Sequence, residues 1–337
     1  MANMKEVADR AGVSVATVSR VINQSGYVTI ALQDRVKEAM NDLRYHPSAL
    51  ARSLRRQETL TIGLILPNLD HPFFSRVALI IVQSLFKQNY RTLVCTSEED
   101  PAQEAAYVDM LIRQRVDGVI MAPTGESRAM HALIDYGIAL VLFDRDLPNL
   151  KVNKVLCDNR RGGYEAMRHL IALGHTDVAI IGKDDIAVSI FSRIDGAKAA
   201  LEESGLKVQI HLERMESEAP PYAAGYEIGR KILGRSGKRP TAIFALTDVA
   251  AVGAMRAARD EGLTVPGNLS VIGFDDIPLA GQCIPSLTTI AQPTDEMGRR
   301  AAEVLLSALT NRDQEISETI FETQLVVRES TQTRSAT

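Results

Sequence analysis

Residues 4–23 read MKEVADRAGVSVATVSRVIN, and two short amphipathic helices are written into them. Val7, Ala8 and Ala11 recur at helical spacing across residues 4–11. Gly12-Val13 breaks the pattern, and Ser14 stands where an N-cap belongs. A second helix is expected over 15–23, with Val18, Val21 and Ile22 turned inward.

On the carboxyl side, Thr29 is expected to cap a third helix that carries Leu32, Val36, Ala39, Met40 and Leu43 on one stripe. His46-Pro47 stops it. The following SALARSLRR (48–56) is a helical pattern too short to hold by itself in water, and its three Arg add positive charge.

From Thr61 the rhythm changes. Apolar, β-branched runs at 61–67, 91–97, 117–123, 139–144, 155–159, 177–182, 241–247 and 269–276 alternate with helical patterns at 77–88, 102–115, 160–173, 193–204, 221–234, 248–262 and 294–310. Near-continuous apolar strands separated by helices indicate parallel sheets covered on both faces. About 275 residues exceed one such core, so two doubly wound lobes are expected, with a ligand at the carboxyl ends of the strands.

The chain of 337 residues is 45% hydrophobic and 24% charged, which excludes a disordered chain, a collagen-like repeat and a disulfide scaffold. Its net charge of −4 taken whole argues against nucleic acid, but the average conceals a split. Residues 1–60 hold nine Lys+Arg and six Asp+Glu, a balance of +3. The remaining 29 and 36 leave the body at −7. Cys95, Cys157 and Cys283 lie far apart, without metal or redox spacing, and suit a reducing cytoplasm as small buried side chains. No signal-peptide pattern, membrane-length apolar run, HExxH, phosphate loop or GxSxG elbow is read, so no membrane contact, metal or cofactor is expected.

Two short helices around a tight Gly-containing turn form a helix-turn-helix, whose second helix enters the major groove. Its outward residues Val15, Ala16, Ser19 and Arg20 are the candidates for base edges, Val15 and Ala16 through thymine methyls or close approach. Ser14, Thr17 and Ser19 are candidate phosphate donors, and Lys5 and Asn23 complete the set. A purely structural helical cap is the competing reading. The basic charge, terminal position and Arg-rich connection favour DNA.

The segments MKEVADRAGVSVATVSRVIN, YHPSALARSLRR and TIGLILPNLDHPFF closely resemble the LacI/GalR family of bacterial transcription regulators. The resemblance continues through DNRRGGYEAMRHLIALGH (158–175), RIDGAKAAL (193–201), VIGFDD (271–276) and PSLTTIAQP (285–293), and so covers essentially the whole chain. It implies a helix-turn-helix head at 1–47, a hinge helix and linker at 48–60, and a bilobed α/β body at 61–337 similar to periplasmic binding proteins. The first lobe is expected at about 61–159 and 293–318, the second at about 160–290 and 319–330. It also implies a homodimeric repressor on a pseudo-palindromic operator, controlled by a small effector between the lobes, a sugar or sugar derivative. In the hinge, Leu54 matches the family's minor-groove wedge and Ala51 the close contact of the symmetric pair; an ordinary apolar linker residue is the other reading of Leu54.

For the effector, Asp275 ends VIGFDD and either takes ligand hydroxyls or serves as a turn carboxylate. Arg193 matches the family's ligand-facing Arg. Its other reading is a surface residue in the first turn of a helix, where the dipole disfavours it. Ser189, four residues earlier, matches another pocket position. Asp144-Arg145 is read as ligand-binding or as an ion pair between lobes, and Phe73-Phe74 as a stacking face or as core. Gln292 lies in the crossing segment. Thr247-Asp248 departs from the Asn-Asp of many relatives, exchanging an amide for one hydroxyl. With no Trp, an indole-stacked sugar is excluded.

Three alternatives stand beside this reading. They are a purine- or nucleoside-responsive regulator using a corepressor, a Rossmann-like sugar or nucleotide enzyme, and a transport-linked sugar-binding protein. The enzyme reading lacks a clustered catalytic set, and the last two leave the head unexplained. The tail has no leucine heptads, so a dimer rather than a coiled-coil tetramer is expected.

Overall fold

The computed structural model describes residues 2–23, 25–45, 58–183, 188–206, 209–215, 220–234, 239–311 and 314–334. The chain divides into two compact units, Met1–Thr59 and Leu60–Thr337. The segment 48–56, with Ala51 and Leu54, lies outside the described residues.

In the first unit, α1 (Met4–Ala11), α2 (Val15–Asn23) and α3 (Ile30–Asp42) surround Val7, Ala8, Ala11, Val18, Val36 and Ala39. Asn3 and Glu6 form a reciprocal capping box on α1, satisfying donors that the first turn leaves open. Gly12 ends α1 at φ 61, a left-handed position that glycine adopts without steric cost. Thr29 precedes α3 in an extended conformation but makes no side-chain cap, contrary to expectation. There the Gln33 amide donates to the Val28 carbonyl at 3.0 Å, tying the entry loop to the helix instead.

The second unit has two six-stranded sheets. One contains β1 (Thr61–Leu66), β2 (Arg91–Thr96), β3 (Gly118–Met121), β4 (Ala139–Phe143), β5 (Asn153–Cys157) and β11 (Glu318–Phe321), in the order β11-β5-β4-β3-β1-β2, all neighbours parallel. The other contains β6 (Asp177–Lys183), β7 (Gln209–Met215), β8 (Ala242–Ala245), β9 (Ser270–Asp275), β10 (Thr288–Ala291) and β12 (Gln324–Val326), in the order β12-β10-β9-β8-β6-β7. The helices are α4 (Pro72–Lys87), α5 (Pro101–Arg113), α6 (Arg128–Asp135), α7 (Asn159–Ala172), α8 (Val188–Ser204), α9 (Pro221–Leu233), α10 (Asp248–Asp260), α11 (Pro278–Gln282) and α12 (Thr294–Thr310). Each sheet separates two apolar layers, one pair built around Val77 and Leu111, the other around Ala254 and Phe244.

β12 departs from the all-parallel expectation by running antiparallel to β10, pairing Ala291 with Gln324 and Thr289 with Val326. Only Glu322 and Thr323 separate β11 from β12. A chain leaving the carboxyl end of one sheet so abruptly can enter the next only from its carboxyl end, which forces the reversed direction. The expected lobe boundary at 318 falls inside β11, all of which pairs with β5 in the first sheet. Cys95 and Cys157 are buried free thiols, but Cys283 is half-buried; burial pushes Cys157 up to about 12. Among the described residues, no helix is long and apolar enough to cross a membrane, and no group of His, Cys, Asp or Glu is placed to hold a metal.

Candidate functional site

On the head, α2 exposes Val15, Ala16 and Arg20, while Thr17, Ser19 and Asn23 are half-buried. Ser14 Oγ accepts the Thr17 N–H at 3.1 Å and lies 2.9 Å from Thr17 Oγ1, so these two hydroxyls cap the helix first. The Asn23 amide turns back to Ser19, donating to its carbonyl at 2.8 Å and its hydroxyl at 3.2 Å. It therefore braces the helix rather than projecting from it. Lys5 is exposed on α1. The Arg35 guanidinium, which the sequence reading missed, donates from α3 to the carbonyls of Ala11 and Gly12 and holds the turn between α1 and α2. A lone Arg on a polar helix stripe gives no such signal in sequence.

In the body, the carboxyl ends of both sheets face one another, and polar side chains collect there. β4 runs directly into Asp144, buried at φ 63, and Arg145. Arg145 grips Glu99 through two hydrogen bonds of 2.6 and 2.7 Å and donates to the Pro123 carbonyl at 3.2 Å. Both of these partners belong to the first lobe, so this ion pair lies within one lobe. Pro72, pre-set for a first helical turn, starts α4 and places Phe73 and Phe74 beneath the cleft. Phe73 packs on Phe74 and Phe143, centroids 5.1 and 6.4 Å apart, so the pair is core rather than an open stacking face. Phe73 still lines a cavity of about 300 Å³ at the cleft mouth with Arg76, Asp275, Gln292 and Asp295.

From the second lobe, Arg193 lies in the second turn of α8, since that helix begins at Val188 and not at 193. Arg193 therefore lies beyond the first turn, where the helix dipole acts, and at 4% exposed it is no surface residue. Its guanidinium donates to Asn159 Oδ1 at 2.8 Å and to the Leu246 carbonyl, stands 3.7 Å over the Phe274 ring, and reaches within 3.5 Å of Asp275 Oδ1. α8 comes so close to α7 because Gly163 and Gly196 face the carbonyls of Arg193 and Arg160, where any Cβ would sit 1.9 Å away. Ser189 is buried one turn before Arg193. The Thr247 hydroxyl accepts the Ala250 N–H at 3.3 Å and caps α10, which leaves its own hydrogen to donate.

Asp275 ends β9 at φ 113, accepts from Gln292 Nε2 at 2.8 Å, and lies 3.8 Å from Nε2 of His71, at the cap of α4. Burial raises its pKa to about 6, although Arg193 and Gln292 oppose the shift. Burial, followed by Arg193, holds His71 down to about 4, so its ring is neutral near pH 7. Burial also raises Asp144, against the pull of Arg193 and Arg145. His71 Nδ1, Asp144 Oδ1 and Gln292 Oε1 are buried with no hydrogen-bond partner among the described residues. His71, Glu99, Asn159 and Phe274 were not anticipated; nothing in their spacing separates them from ordinary loop, cap or core residues.

Residues 3–48 match the model of bacterial regulatory proteins of the lacI family, and residues 167–331 match a periplasmic binding protein-like domain. The chain is 36% identical over 333 residues to the HTH-type transcriptional regulator DegA of Bacillus subtilis (strain 168), covering 97% of both chains. The structure of the lac repressor dimer bound to operator and an anti-inducer is similar at a TM-score of 0.86 and 26% identity, over 98% of this chain and 99% of that one. A LacI family regulator from Enterococcus faecium with bound ribose is similar at a TM-score of 0.75 and 31% identity, over 82% and 100%. With both halves matched in order along nearly its full length, the chain belongs to the lacI family of bacterial regulatory proteins.

Proposed function

We propose that this protein is a transcriptional repressor that binds operator DNA as a homodimer through α2 and changes its operator affinity when a neutral sugar enters the cleft of the body. The observation that carries the ligand class is the set of buried groups lacking partners. Asp144 Oδ1 and Gln292 Oε1 are acceptors, and neutral His71 offers either role. Arg145 is already gripped by Glu99, and Arg193 is shared among Asn159, Leu246 and Asp275. The acceptors among the unpartnered groups favour a ligand that brings donors. Hydroxyls supply them, whereas a phosphate or carboxylate brings acceptors toward carboxylates. The ribose-bound relative agrees with this chemistry, and the lac repressor dimer on its operator supports the DNA-bound dimer.

Ser14, Val15, Ala16, Thr17, Ser19 and Arg20 remain the operator contacts of this reading, with Leu54 as the wedge. Asp144, Ser189, Arg193, Asp275 and Gln292 are its effector contacts, and Arg145, Phe73 and Phe74 support them from below. The decisive experiment selects duplexes from random DNA with the full-length protein and titrates that complex with neutral monosaccharides by fluorescence anisotropy. A fall or rise in operator affinity with one sugar is expected, and its direction distinguishes inducer from corepressor. No selected sequence, or no response to any sugar while a sugar phosphate or purine responds, would overturn it.

A further inference from the structure

Asp248 is 0% exposed and does not itself line the cleft cavity, but its side chain holds the backbone of Ile277, which does. One carboxylate oxygen accepts the Ile277 N–H at 2.9 Å, and the other accepts the Thr289 hydroxyl. Ile277 closes the turn formed by Asp275 at φ 113 and Asp276 at φ 54, two consecutive residues in a region that side chains other than glycine's rarely adopt. Such backbone persists only where its surroundings over-determine it. Thr289 lies on β10, three residues before Gln292, whose amide meets Asp275 at 2.8 Å. The two legs of one carboxylate thus grip the two segments that present the Asp275–Gln292 pair. Gly273 on β9 makes room for it, since a Cβ there would lie 2.2 Å from Asp248 Oδ1. On the far side of the turn, Arg328 holds Asp276 at 2.6 Å and leaves Asp275 itself to the Asp248 side.

We infer that Asp248 is a positioning residue of the effector site, clamping the Asp275 turn to β10 so that Asp275 and Gln292 face the cleft as one unit. This rests on the sugar-sensing reading for its consequence, but its geometry can be tested without a ligand. The full-length Asp248→Ala and Thr289→Val proteins are compared with the unsubstituted chain by hydrogen–deuterium exchange. For Asp248→Ala, exchange is expected to speed up by on the order of tenfold or more across 275–278 and 289–293, with 178–181 and 242–245 unchanged. Thr289→Val, which removes one leg only, is expected to loosen 289–293 alone, and it serves if the alanine variant does not fold. Uniform acceleration through the second sheet, or no change at 289–293 in either variant, overturns the clamp.

A second readout uses D-ribose as the probe. Both variants should weaken its thermal stabilisation of the body by about tenfold in concentration. If neither ribose nor another neutral monosaccharide stabilises the unsubstituted protein, the sugar reading fails and the exchange data alone decide on Asp248.

Discussion

His71 Nε2 lies 3.8 Å from Asp275 Oδ2, and the two residues come from opposite lobes. The imidazole is held at about 4 and the carboxyl at about 6, so near neutral pH a neutral ring faces a carboxylate. Their effects on stability oppose each other. The raised Asp275 contributes stability present below its unfolded value of 3.8 and lost as pH rises through about 6. The depressed His71 contributes stability present above 6.5 and lost as pH falls through about 4. Relative to the unsubstituted protein, His71→Asn should therefore lose stability toward pH 7 and gain toward pH 4. Asp275→Asn should do the reverse. Thermal unfolding of the body at pH 4 to 7 checks both, and parallel curves for all three proteins would exclude the opposition.

Sugar affinity should also fall as pH drops through about 6, because a protonated Asp275 accepts fewer hydroxyl hydrogens. Isothermal titration at pH 7.5 and 5.5 with the responding sugar reads this directly. A flat affinity would remove Asp275 from the ligand.

Arg193→Lys keeps the charge but loses the planar fork that spans Asn159, Leu246 and the Phe274 face. It should weaken sugar binding by about tenfold or more while leaving unliganded operator binding intact. Calorimetry and anisotropy on the same preparation separate the two effects.

Gly163→Ala or Gly196→Ala would drive a methyl into a carbonyl of the facing helix, 1.9 Å from its oxygen. α7 and α8 would have to separate, costing about 1–3 kcal/mol or more. Urea unfolding measures the loss, and sugar affinity should fall with it because Arg193 moves with α8.

In the head, Arg35→Ala frees the carbonyls of Ala11 and Gly12. Operator affinity should fall about tenfold through the loosened turn, with the unfolding of the body unchanged. Leu54→Ala, a sequence-based prediction, should weaken specific binding much more than nonspecific binding; equal losses would reject the wedge.

The head was legible because its signals are local. Val7, Ala8, Ala11 and Val18 sit at helical spacing, and Gly12 at φ 61 is a turn that residue type announces. The alternating body was legible for the same reason, except for β7, whose QIHLERM is too polar to read as a buried strand, for β10 and α6, and for the short β11 and β12. With four and three residues, they have no period to detect and exist only because neighbouring strands offer them an edge.

The amino-acid sequence by itself determined a basic helix-turn-helix head, an acidic two-lobed α/β body and the candidates at its strand ends, since charge, periodicity and strand termini are properties of contiguous residues. Tertiary structure alone decided what each candidate does. Arg145 turned to Glu99, Thr247 to its own helix, Asn23 to Ser19, and Arg193 to Asn159 and Asp275. A hydrogen bond depends on a few tenths of an ångström between groups up to 53 residues apart in the chain (Arg193 and Leu246), and that distance is set by how helices and sheets pack, not by the residues that flank each group.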